Sequence, residues 1–159
     1  QATIFSYHVN DPERYGVIDF DKDNKPKSIE EKPKTPKSNY VVTGLYFYPN
    51  NVIQKASSLK ISNRGELEIT SINQMYLNEK KLKVENLGQG FTWLDAGTPD
   101  SFIEASNFVE AIEKRQGLKI ACIEQIAYEK SYITKSKYIS LSDSMNKSPY
   151  GIYLKNIIK

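Results

Sequence analysis

Residues 40 to 49 read YVVTGLYFYP, a run dense in β-branched and aromatic residues. Such a run makes a strand more readily than a helix. Its near-continuous apolar character predicts a strand covered on both faces. The chain must therefore build a sheet around it, and the flanking segments offer the other strands. Ala2 to Val9 alternates loosely and is rich in β-formers. VIDFD and PKSIEEK are joined by the turn KDNK, which predicts a hairpin. Between the first strand and this hairpin, NDPERYG carries Asp11-Pro12 turn chemistry, with Gly16 ending a short helical turn. Pro33 and Pro36 punctuate the approach to Tyr40.

The pattern then changes period. NNVIQKASSL predicts a short helix with Asn50 or Asn51 as its cap. GELEITSINQMYLNEK places Leu67, Ile69, Ile72, Met75, Tyr76 and Leu77 at helical spacing. KLKVENL and FTWLD predict strands. TPDSFIEASNFVEAIEKRQG is the clearest helix: Thr98 as N-cap, Pro99 at its first position, Asp100 near the positive end and Gly117 at the stop. Phe102, Ile103, Phe108, Val109 and Ile112 make one stripe on it. From Glu124 onward the chain predicts two or three short helices, ending YGIYLKNIIK. Strands, then alternating strand and helix, then a helical tail predict an incomplete mixed α/β sheet with a small helical subdomain. We divide the chain into residues 1–120 and 121–159 on this basis. The opening QATIFSYHV lacks Met and is already strand-like, as expected of a piece of a longer chain.

Composition excludes some functions. With 39% hydrophobic and 26% charged residues in 159, the chain has an ordinary globular profile. Its net charge of +3 comes without a long basic block, so charge gives no support to nucleic-acid or membrane-surface binding. No apolar run approaches the roughly 18 residues of a membrane span. A single cysteine, Cys122, rules out an internal disulfide and fits a reducing cytoplasm. His8 is the only histidine, so no histidine dyad or zinc set can form around it. No G-x-G-x-x-G or P-loop is present.

Several residues can carry chemistry. Asp95, in FTWLDAGTPDS, follows a strand-like run and precedes a helix start. That is the usual ligand edge of an α/β sheet, where one Asp can ligate Mg²⁺ while phosphates fill other positions. The other reading is a turn Asp that accepts local N–H groups, which these residues alone favour. In EEKP, strand alternation sends Glu30 and Lys32 to one face and Glu31 to the other. Lys32 can serve as a point charge for phosphate and a neighbouring Glu can accept sugar hydroxyls; a solvated hairpin edge is the plainer reading. Arg64, Glu66 and Glu68 can equally be a polar helix start. Gly16 and Gly44, each beside an aromatic residue, permit close backbone approach to a ligand or simply mark a turn.

Together, YHVNDPERYGVIDFD, SIEEKPKTPKSNYVVTGLYFY, RGELEITSIN, FTWLDAGTPDSFIEASNFV, IEKRQGLKIACIEQIAY and YGIYLKNIIK resemble the glucose-1-phosphate thymidylyltransferases, sugar-nucleotide pyrophosphorylases of dTDP-rhamnose synthesis. The resemblance runs in order along the whole chain. It implies part of the mixed sheet of the Rossmann-like nucleotide-diphospho-sugar transferase fold, followed by the helical subdomain. It also implies the C-terminal part of such an enzyme, because the family's Gly-rich G-G-x-G-T-R-L loop is absent, and hence an isolated chain without activity. The implied reaction joins glucose 1-phosphate and dTTP into dTDP-glucose and pyrophosphate with Mg²⁺.

By the same resemblance Asp95 is one of two metal-binding aspartates, and Lys32 neutralises phosphate. Glu31 accepts sugar hydroxyl hydrogens. Tyr15, Gly16, Val42 and Thr43 line the sugar pocket, and Trp93 sits beside metal and sugar. Arg64, Glu66 and Glu68 lie near the sugar. Gln89, Gln125 and Glu129 depart from the family pattern where a second, regulatory nucleotide site forms, so feedback binding is expected to depart as well. A cytoplasmic homo-oligomer is implied. Two alternatives stay open: a uridylyl- or adenylyltransferase of the same family, and a non-catalytic assembly module whose tail (Tyr150, Ile152, Tyr153, Leu154, Ile157 and Ile158) packs on another subunit.

Overall fold

The computed structural model describes residues 1–158. These pack as two compact units, 1–93 and 94–158, a division that falls earlier than the 120/121 boundary expected from sequence.

The first unit holds strand β1 (Ala2–His8), a 3-10 turn at Pro12–Arg14, strands β2 (Gly16–Phe20), β3 (Pro26–Glu31) and β4 (Tyr40–Phe47), helices α1 (Val52–Ser57) and α2 (Ile69–Asn78), and strand β5 (Leu82–Asn86). The strands form one mixed sheet in the order β3-β2-β4-β1-β5. Only β1 and β5 run parallel; the other pairs are antiparallel. The β2–β3 hairpin turns on Asp21, whose Oδ1 accepts the N–H groups of Asp23 at 2.8 Å and Lys25 at 2.9 Å. Those bonds, Lys25 first, hold the Asp21 carboxyl below its usual range. Asn24 takes the left-handed conformation there (φ 58°).

Ile4, Ile18, Ile29 and Val42 form the main core, with Tyr46, Leu77 and Val84 packed against them. A second cluster joins Ala2 to Ile72 and Tyr76 of α2. Each large apolar side chain of this kind gains roughly 1.5–3 kcal/mol on burial. α2 thus lies over the sheet, with Thr70, Ile72, Asn73 and Tyr76 on its buried face. Asn51 precedes α1 as expected but does not cap it; its Oδ1 accepts from the Tyr76 hydroxyl at 2.8 Å.

Three sequence expectations need correction here. Strand β4 is not covered on both faces: Val41 and Val42 are buried, but Leu45 and Phe47 are about half exposed. Val42 and Tyr46 both reach the main core, across a register shift opposite Ile4 and Ser6 of β1 where Gly44 turns left-handed (φ 82°), while Leu45 and Phe47 alternate onto the other face. The segment FTWLD is not a strand, because residues 91–95 join no ladder. Side chains tie it down instead: the Tyr7 hydroxyl donates to Phe91 O at 3.0 Å, and Trp93 Nε1 to Thr43 O at 3.0 Å. Gly16 does not end the helical turn but opens β2, paired with Glu31.

The second unit holds α3 (Pro99–Gln116), α4 (Ile123–Glu129), α5 (Lys135–Ser144) and α6 (Pro149–Ile157). Thr98 caps α3 as expected, in a reciprocal pair with Ser101: Thr98 Oγ1 accepts Ser101 N–H at 3.2 Å and Ser101 Oγ accepts Thr98 N–H at 3.0 Å. Gly117 stops the helix in the left-handed conformation (φ 71°). The expected apolar stripe forms but is not buried; no residue of α3 is. Cys122, Tyr138 and Leu154 make the core of the three short helices. Gly151 permits this packing, since a Cβ there would collide with the Met145 carbonyl. The Tyr138 hydroxyl donates to Leu154 O at 3.0 Å, and burial pushes its pKa up to about 12.

Candidate functional site

The hairpin β2–β3 sets Gly16 directly opposite Glu31. Alternation turns Glu31 toward α2, where Thr70 Oγ1 donates to its Oε2 at 2.5 Å. Gly16 leaves the room for this bond: a Cβ on it would stand 3.2 Å from Glu31 Oε2 and 3.3 Å from Thr70 Oγ1. Val42 closes the third side, its Cγ2 3.8 Å from the same point. The other carboxylate oxygen, Oε1, lies 3.5 Å from Arg64 Nη1. Arg64 also meets Glu68 through Nη1 at 3.2 Å and Glu66 through Nη2 at 3.2 Å. Glu31, Arg64, Glu68, Ser62 and Thr70 line an open cleft of about 370 Å³.

A second, aromatic cluster lies in the same unit. Trp93 meets the Tyr15 ring edge-on, with centroids 5.2 Å apart, and tilts against Tyr7 at 6.1 Å. Its indole N–H is anchored on Thr43 O, the residue after Val42. Lys32 follows Glu31 at the end of β3. Its N–H donates to Tyr15 O at 2.9 Å, its side chain is exposed, and its backbone is left-handed (φ 44°).

Tyr15, Gly16, Glu31, Lys32, Val42, Thr43, Arg64 and Trp93 are thus all in the first unit and form one connected set. Asp95 lies past the division, in the second. Its Oδ1 accepts Gly97 N–H at 3.1 Å, the turn geometry considered from sequence, just before the N-cap of α3. Among the described residues no three His, Cys, Asp or Glu side chains come together as a metal site. Gln89 lines a separate cleft of about 550 Å³ with Tyr7, His8 and Tyr40. Gln125 donates to Glu129 at 2.8 Å and accepts from the Tyr153 hydroxyl at 2.6 Å.

Thr70 was not foreseen. A cue exists in the sequence: it is a polar residue three and six positions before Asn73 and Tyr76, on the buried face of α2.

The curled mixed sheet and this cleft define a class. The chain belongs to the nucleotidyl transferase family, whose sequence model matches residues 1–112. Within it, the chain is similar to the glucose-1-phosphate thymidylyltransferase of Mycolicibacterium smegmatis (52% identical over 157 residues, 99% of this chain and 54% of that protein). It is also similar to that of Neisseria meningitidis serogroup A (48% over 158 residues, 99% and 55%). It spans about half the length of these relatives. A crystal structure of a Bacillus anthracis protein assigned as a glucose-1-phosphate thymidylyltransferase, in complex with sucrose, superposes with a TM-score of 0.60. That protein is 44% identical, over 67% of this chain and 42% of its own. A UDP-glucose pyrophosphorylase complexed with UDP-glucose shares the fold at TM-score 0.61 and 24% identity, over 72% and 45% of the two chains. No helix among the described residues is long and apolar enough to cross a membrane.

Proposed function

We propose that the chain is the sugar-binding part of a glucose-1-phosphate thymidylyltransferase, which joins glucose 1-phosphate to dTTP and releases pyrophosphate. The observation that carries this is the Gly16–Glu31–Thr70 arrangement, in a chain about half identical to such enzymes. A carboxylate with Thr70 donating to one oxygen and Arg64 3.5 Å from the other keeps lone pairs for further donors, and adjacent hydroxyls of a hexose supply such donors. The Trp93 and Tyr15 rings offer the flat apolar surface that a sugar face packs on. Lys32 extends a flexible ammonium from the strand end, suited to neutralising phosphate.

In this reading the sugar phosphate oxygen attacks the α-phosphorus of dTTP in line. Such a step needs positioning and charge neutralisation rather than covalent help. Asp95 would hold Mg²⁺. One carboxylate fits that role, since Mg²⁺ in phosphate sites takes one or two protein ligands and fills the rest with phosphate oxygens and water. When bound, the ion neutralises charge on the triphosphate. The parent protein would act in the cytoplasm as a homo-oligomer, supplying dTDP-glucose for dTDP-rhamnose and polysaccharide precursors.

The test is turnover. The parent protein should form dTDP-glucose from glucose 1-phosphate and dTTP, and the isolated 159-residue chain should not. In the parent, Asp95→Asn should lower kcat by about 100-fold or more, the scale of losing one charge-stabilising group, at unchanged melting temperature. A preference for UTP or ATP over dTTP would move the protein to another member activity. Turnover by the isolated chain, or near-normal kcat in the Asp95 variant at saturating Mg²⁺, would contradict the respective part of the reading.

A further inference from the structure

Arg64 meets three carboxylates that are not equivalent. Glu66 is two residues on, with a side chain 61% exposed, where an ion pair contributes little. Glu31 sits at the longer distance of 3.5 Å. Glu68 accepts at 3.2 Å with a side chain only 11% exposed, and Ser62 Oγ donates to the same Glu68 oxygen at 3.0 Å. The best-fixed partner of Arg64 is therefore itself held by a hydroxyl of the loop that carries Arg64.

Ser62 fastens that loop in three further places. Its Oγ accepts Arg64 N–H at 3.1 Å, its N–H donates to Glu66 O at 2.8 Å, and its carbonyl accepts Gly65 N–H at 2.9 Å. Glu68 occupies the N-cap of α2 yet makes no side-chain cap bond. Ser, Thr, Asp and Asn are the residues that cap. A buried Glu turned away from its own helix breaks that local rule, and such breaks concentrate where a site imposes its geometry.

We propose that Ser62 and Glu68 are positioning residues that set the Arg64 guanidinium beside Glu31 for recognition of the sugar; this rests on the functional reading above. They act through Arg64. Without Ser62, Glu68 loses its second donor and the loop loses a side-chain tie, so Arg64 samples orientations away from Glu31.

The experiment compares Ser62→Ala, Ser62→Thr and Glu68→Gln in the parent protein. It measures KM for glucose 1-phosphate and for dTTP separately, melting temperature, and the ¹⁵N–¹H resonances of the Arg64 guanidinium. Ser62→Ala should raise KM for glucose 1-phosphate about fivefold, the effect of one net hydrogen bond, with KM for dTTP unchanged. The Arg64 resonances should broaden. Ser62→Thr, which keeps the hydroxyl, should restore both readouts. Glu68→Gln keeps an acceptor for Ser62 but removes the charge, and should give the larger rise in KM. An equal rise in both KM values, or unchanged KM and resonances in Ser62→Ala, overturns the proposal. If the parent makes no dTDP-glucose but Ser62→Ala still broadens the Arg64 resonances, the functional reading falls and the positioning of Arg64 stands.

Discussion

Gly16 shows how a single missing side chain shapes the candidate site. The hydrogen bond between Thr70 and Glu31 runs past its Cα, in space a methyl group would enter at 3.2 and 3.3 Å from the two oxygens. These two partners sit on a strand and a buried helix face, so neither can yield far. Gly16→Ala should therefore cost about 1–3 kcal/mol by overpacking, read as a drop in the denaturation midpoint of the parent. It should also raise KM for glucose 1-phosphate more than KM for dTTP, because Glu31 must tilt to relieve the contact. Trp93 is fixed differently, by one N–H on the Thr43 carbonyl and by the edge of the Tyr15 ring. Gly16 and Trp93 both stand out in the sequence, but what holds them is not visible there. The Thr70–Glu31 bond spans 39 residues, and local periodicity carries no information at that range.

Among the elements, the helices are the most legible in sequence. α3 begins and ends where Thr98, Pro99 and Gly117 say it must, because caps are local chemistry. The strands are less so. The β4 pattern reads as one continuous apolar run, and only the folded sheet shows that one of its faces is left partly open at Leu45 and Phe47. FTWLD has strand composition but no ladder, since a strand needs a partner as well as a propensity. The three short helices after Cys122 depend on Tyr138, which carries a pH dependence. Burial raises its folded-state pKa from 10.0 to about 12. A group raised on folding contributes its full stability below its unfolded pKa and loses it as pH climbs toward the folded value. The second unit should thus weaken between about pH 10 and 12. Urea melts followed by helix circular dichroism should show the midpoint falling across that window. Tyr138→Phe should flatten the fall, while losing about 1 kcal/mol at neutral pH with the bond to Leu154 O. A slope unchanged by that substitution would assign the alkaline transition to other groups.

At the scale of the whole molecule, the residues tied to the sugar by resemblance gather in one unit, while Asp95 lies in the other. Mixed sheet, helical tail and family are all accessible from pattern and motif, because six motifs in sequence order constrain a fold more tightly than any one. The metal role proposed for Asp95 is not accessible from local residues, which describe only its turn. Five non-glycine residues adopt a left-handed backbone among those described. Lys80 and Ser131 do so just past the ends of α2 and α4, and Asn24 in a hairpin turn, all places where helix ends and turns ask for it. Lys32 instead does so at the end of a strand, at a cost of about 1 kcal/mol or more relative to glycine. That makes it a marker of conflicting selection. In a library screened only for heat resistance, Lys32→Gly should be enriched; screened for dTDP-glucose formation, the same variant should disappear. Enrichment under both regimes would mean the lysine is dispensable, and a lineage that relaxed its chemistry would be expected to shed it early.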